Sequence, residues 1–171
     1  SESFYQQFFN LLFSWELKNL NVVQQNVAGV DLIDTKNKII VQVSATATKQ
    51  KIESALAKDL STYKGYSFKF IAISKDAKDL RTKTFSNPHN LTFLPADDIY
   101  DILSLLKIIG MMDIDRQKEV YEFLEKELKS ESNPEKVESN LTTIIKILSI
   151  EDWNHGSLGF EIVRYDIESK I

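Results

Sequence analysis

The sequence predicts an α/β protein: a mixed sheet flanked by helices over residues 1–95, followed by a small helical region over residues 96–171. Short β-branched runs, Val30–Ile33 and Ile39–Val43, alternate with stretches of helical spacing as far as Leu94. After Pro95 only helical spacing remains. The charges divide at the same place, with 12 Lys/Arg against 8 Asp/Glu in residues 1–95 and 9 against 17 in residues 96–171. The first part suits phosphates and the second repels them, although an unevenly charged solvated surface gives the same count.

Taken in order, Phe4, Phe8, Leu11, Leu12 and Trp15 recur at helical spacing, widened by Phe9 and Phe13. They predict a largely covered helix from Ser3 to Leu20, with Glu2 in its first turn, and a stripe that is core rather than a platform for bases. Val30–Ile33 and Ile39–Val43 flank "DTKNK" and predict a hairpin. Ser44 to Thr48 offer N-caps for a helix from about Lys49 to Tyr63, marked by Ile52, Leu56 and Leu60. "SFKFIAIS", Ser67 to Ser74, reads as a covered strand and "NLTFL", Asn90 to Leu94, as another.

Beyond Pro95, helices are expected over Asp98–Ile109, Asp115–Leu128 and Pro134–Leu148. Gly110 fits a stop for the first, and Pro134 fits the first position of the third. The final stretch, from Trp153, is strand-like without a closing partner, which suggests the front of a longer protein.

A chain that is 43% hydrophobic and 27% charged can bury a substantial core. It has no run of about 18 apolar residues and no secretory signal pattern, so neither a membrane span nor export is expected and the cytoplasm is the default. Zero cysteines exclude thiolate metal sites and disulfides, and two histidines argue against a histidine-rich zinc site. Any metal would be held by oxygen.

Asp31 and Gln42 are out of place in their apolar runs. If the runs pair, strand alternation brings the two side by side at the end that leads into the helix. An acid beside an amide, lysines and a cation is a stable arrangement, and Mg²⁺ takes carboxylates, water and phosphate oxygens. Lys49 and Lys51 stand at the mouth of the helix. The same residues also permit a solvent-facing edge pair with no chemistry.

The order helix, strand, strand, helix, strand, with Asp on one strand and Gln-x-Ser on the next, resembles the PD-(D/E)XK nuclease superfamily. Its sites pair Asp with Glu-x-Lys, and Mrr-like restriction enzymes carry Gln for the Glu. More specifically, "NLLFSWELKNLNVVQQNVAGVDLIDTKNKIIVQVSATATKQKIESAL" resembles the SMEK domain, through Leu17-Lys18-Asn19-Leu20-Asn21, Val30-Asp31-Leu32, Gln42-Val43-Ser44-Ala45-Thr46 and Lys51-Ile52. The likeness is densest over residues 17–56 and continues through most of the chain.

This resemblance implies a restriction endonuclease-like core and a Mg²⁺- or Mn²⁺-dependent nuclease. It also implies a component of a bacterial three-component anti-phage system, acting on nucleic acid, DNA in preference to RNA. By position, Asp31 is the central metal ligand, Gln42 replaces the second carboxylate, and Glu2 is a further ligand on the first helix, preferred over Glu16. Ser44 stands where the superfamily lysine belongs, so Lys51 is the expected substitute and Lys49 the weaker one. Lys75, Lys78, Arg81 and Lys83 follow a core strand and, with Lys49, are candidates for contacting the phosphate backbone. His89 reads as a loop hydrogen-bonding residue. The alternative is an inactive nuclease fold that binds nucleic acid or protein, its acidic helices docking partner subunits or a second copy as a homodimer.

Overall fold

In the computed structural model, residues 2–20, 30–73 and 76–130 are described. Helix α1 spans Glu2–Phe13, with Phe4, Tyr5, Phe8, Phe9 and Leu12 buried. It stops at Ser14, whose φ of 56° is left-handed. The freed carbonyl of Leu11 accepts from Arg116 Nη2 at 2.7 Å, so a cation sits at the negative end of the helix.

The predicted helix to Leu20 is therefore shorter than expected. Asn10 Nδ2 donates to Leu17 O at 3.1 Å, and Leu17 N donates to Asn10 Oδ1 at 2.7 Å. This side chain acts as a strand partner and lays Lys18–Asn19 down as β1, which pairs antiparallel with β2, Leu32–Asp34.

Strand β3, Ile39–Ser44, runs antiparallel to β2, with Leu32 opposite Val41 and Asp34 opposite Ile39. Asp34 is wholly buried and organises the turn between them. Its Oδ1 accepts from Lys36 N and Asn37 N, and its Oδ2 from Asn37 Nδ2 and Glu16 N. Burial works to raise the Asp34 pKa, but these hydrogen bonds outweigh it and hold the carboxyl below its usual value.

Helix α2, Lys49–Leu56, follows an N-cap in which Thr48 Oγ1 accepts from Lys51 N at 3.1 Å. It ends earlier than the expected Tyr63, and a 3₁₀ turn, Ser61–Tyr63, completes the segment. Strand β4, Ser67–Ala72, then lies parallel to β3. The strand expected over Asn90–Leu94 reduces to a bridge between Ser67 and Thr92. Asn90 is left-handed at φ 52°, and the Asn87 side chain occupies both the N–H and the C=O of Leu91.

Past Pro95 the predicted helix from Asp98 divides. A short helix, α3 (Pro95–Asp98), leads into β5 (Ile99–Tyr100), which joins β4 in parallel. Helix α4, Ile102–Gly110, then starts on a capping box between Asp101 and Ser104. Helix α5 covers Ile114–Ser130. The helix expected over Pro134–Leu148 and the strand-like tail lie outside the described residues.

The sheet order is β1-β2-β3-β4-β5. Leu32, Ile39, Val41 and Ile71 pack on one face against α1, α4 and α5. Ile33, Ile40, Phe68 and Phe70 pack on the other against Ile52 and Leu56 of α2. The protein is thus α/β with a mixed sheet and helices on both faces. Among the described residues no helix is long and apolar enough to cross a membrane.

Candidate functional site

Asp31 immediately precedes β2, and its backbone is tied on both sides: its N–H donates to Val41 O at 3.2 Å and its C=O accepts from Leu20 N at 3.1 Å. That fixes the carboxylate over β3. Oδ2 accepts from Val43 N at 2.6 Å and from Gln42 Nε2 at 2.7 Å. Asp31 is half-buried, whereas Gln42 is only 5% exposed. Its amide nitrogen also donates to Val43 O at 3.0 Å.

The structure thus brings Asp31 and Gln42 together, with the amide turned NH₂-first. An ionised carboxylate only accepts hydrogen bonds, so this orientation supplies Asp31 with a donor. The donor that sequence reasoning missed is the Val43 main-chain N–H. No side-chain pattern announces it, because it follows from register alone.

Ser44, where a lysine is expected from the sequence, is buried and closed onto its own loop. Its hydroxyl donates to Thr46 O at 2.9 Å and accepts from Thr46 N at 3.0 Å. Lys51 is exposed in the first turn of α2, two positions after Lys49, which pairs with Glu53 at 3.6 Å. The side chain of Glu2 and the whole of Lys75 lie outside the described residues. Glu16 forms an ion pair with Lys36 beside the β2–β3 turn, at the end of the hairpin away from Asp31.

The basic segment separates into two kinds of residue. Lys78 and Lys83 are exposed. Arg81 is drawn inward: its Nη2 pairs with Asp101 Oδ2 at 2.7 Å and its Nε donates to Ile99 O at 3.0 Å. Asp101 also accepts from Ala77 N and Ser104 N. Its burial would raise the pKa, yet these donors together with Arg81 hold it below the usual value. Lys69 pairs with buried Asp98 in the same region. Sequence reasoning passed over these acids, although Asp-x-x-Ser at 101–104 is a readable cap.

Among the described residues, no group of three or more His, Cys, Asp or Glu side chains is placed to hold a metal ion. The donors that do converge are hard oxygens: the Asp31 carboxylate, the Val43 carbonyl and, with the amide turned, Gln42 Oε1. That chemistry suits Mg²⁺ or Mn²⁺, which complete their shells with water and phosphate.

The family model for the SMEK domain matches residues 1–110. The chain belongs to the SMEK domain family. No curated protein and no solved structure matches it. The matched span ends with α4, so the SMEK domain includes β5 and α4, both beyond residue 95. Its Leu17–Leu20 segment has a structural role here: it forms β1 and donates the Leu20 N–H that anchors Asp31.

Proposed function

We propose that this SMEK domain is a metal-dependent nuclease of the PD-(D/E)XK superfamily, hydrolysing phosphodiester bonds, in DNA rather than RNA, within a cytoplasmic bacterial anti-phage system. The observation that carries the proposal is the Asp31–Gln42 pair, held at 2.7 Å on an antiparallel hairpin whose second strand continues parallel to β4. Helices on both faces of that sheet fit the restriction endonuclease-like core. A bound divalent cation, Mg²⁺ or Mn²⁺, supplies the Lewis acidity that polarises the scissile phosphate and activates water. Asp31, Gln42 and Glu2 would hold it. The Val43 N–H keeps the Asp31 carboxylate aimed, Lys51 offsets negative charge developing on the phosphate, and Lys78 and Lys83 meet the backbone of the substrate.

Cleavage of plasmid and oligonucleotide DNA with Mg²⁺ or Mn²⁺, comparing the wild type with Asp31→Ala, tests this. Equal cleavage by both proteins ends it. A second reading is favoured by Ser44, whose hydroxyl is closed onto Thr46 where a lysine is expected: the fold is retained for binding nucleic acid, a second copy or a partner subunit. Salt-sensitive DNA binding without cleavage by the wild type would select it.

A further inference from the structure

Gln42 Nε2 lies 2.7 Å from Asp31 Oδ2 and 3.0 Å from the Val43 carbonyl oxygen. Two oxygens bearing negative charge thus converge on one amide nitrogen. Asp31 Oδ2 has a second donor in Val43 N at 2.6 Å, but half-buried oxygens that approach one another still call for a donor that bridges them. The Gln42 NH₂ supplies the donor. Glutamate in this position could not, because its carboxylate only accepts.

Gln42 is 5% exposed, so its amide is not free to swing out into solvent. Rotation about its terminal torsion is the accessible movement, since that torsion is broad and roughly twofold. A half-turn exchanges Nε2 for Oε1 and points a third oxygen at the place the nitrogen had filled.

We propose that the Gln42 amide is a latch on a divalent-cation site: its NH₂ closes the oxygen pair of Asp31 and Val43 when no cation is present, and it turns oxygen-first when one binds. The cation and the Gln42–Asp31 hydrogen bond exclude each other. The inference rests on the nuclease reading of this site, which supplies the cation. It adds that the ligand Gln42 also ties Asp31 to the Val43 carbonyl when no cation is bound, as a second carboxylate would not.

The test is a titration of the full ¹⁵N-labelled chain with Mg²⁺, in which NMR follows the Gln42 side-chain NH₂ pair and calorimetry follows binding. The NH₂ resonances are expected to move with the same half-saturation as the heat, and Asp31→Asn to abolish both responses. Resonances that stay fixed while calorimetry saturates overturn the latch and leave the metal-dependent reading standing. Neither heat nor shift at millimolar Mg²⁺ overturns both. Gln42→Glu is expected to melt below the wild type without Mg²⁺, to regain the difference when Mg²⁺ is added, and to bind it on the order of tenfold more tightly through the added charge. A Gln42→Glu protein that melts with the wild type in the absence of cation also overturns the latch.

Discussion

Arg81 and Asp101 meet at 2.7 Å, with the Asp101 side chain 2% exposed, and together they fasten the 3₁₀ segment Lys78–Thr82 to the start of α4. Removing the cation leaves a buried carboxylate with backbone and Ser104 donors alone. Arg81→Ala should therefore destabilise the protein by about 3 kcal/mol, the range for breaking a buried pair by removing one partner. Urea unfolding of Arg81→Ala, Asp101→Asn and the double variant checks this. The double variant is expected to lose less than the sum of the two single losses, because the two groups are in contact.

The lysines around that pair should behave in the opposite way. Lys78 and Lys83 are exposed, so replacing either by alanine should change stability by no more than about 0.5 kcal/mol. If they meet phosphates, each replacement lowers the salt slope of DNA binding by about 1. Anisotropy of a labelled duplex at several salt concentrations measures it. An Arg81→Ala protein that still folds should keep the wild-type slope.

Acid should unfold the domain partly through Asp34 and Asp101. Both have folded pKa values below their unfolded value of 3.8, so each contributes stability that is complete above that value and lost as pH falls through the folded one. Melting temperature is therefore expected to hold from neutral pH down to about pH 5 as far as these groups are concerned, and to fall below about pH 4. Asp34→Asn should flatten that fall while lowering stability at pH 7. A variant that keeps the full wild-type acid transition would remove Asp34 from this account.

Asn10→Ala should release β1. The side chain makes two hydrogen bonds to the backbone of Leu17, and their loss should cost about 1–3 kcal/mol. Hydrogen exchange is the direct measure: the amides of Leu17 and Leu20 should lose protection, whereas those of β3 and β4 should keep theirs.

The contrast between β3 and β1 explains what could be read from the sequence. β3 was legible because its β-branched run and its alternation are local, and Asp31 with Gln42 stood out against them. β1 is two residues long and follows from a side chain that bonds Leu17, just before the strand, from seven positions away, which no periodicity records. β5 was hidden in the same way: Ile99 and Ile102 fit helical spacing, but pairing with Phe70 and Ile71 claims Ile99–Tyr100 for the sheet. In the site, the residue types were visible, but the NH₂-first amide and the Val43 donor depend on register and charge rather than composition. Arg81 looked like its basic neighbours, and only the three-dimensional position of Asp101 separates it from them.

The contact between Arg116 and the end of α1 bears on where this chain can be cut. Arg116 belongs to α5, outside the span that defines the family, yet it holds the Leu11 carbonyl, and Phe123 stacks on Phe4 and Phe8 from the same helix. A fragment ending at Gly110 would lay an aromatic surface open to water and become prone to self-association. The segment matched by the family model is thus shorter than the segment that covers this aromatic face. An expression fragment should run at least through Leu124, whose side chain is buried against the same core.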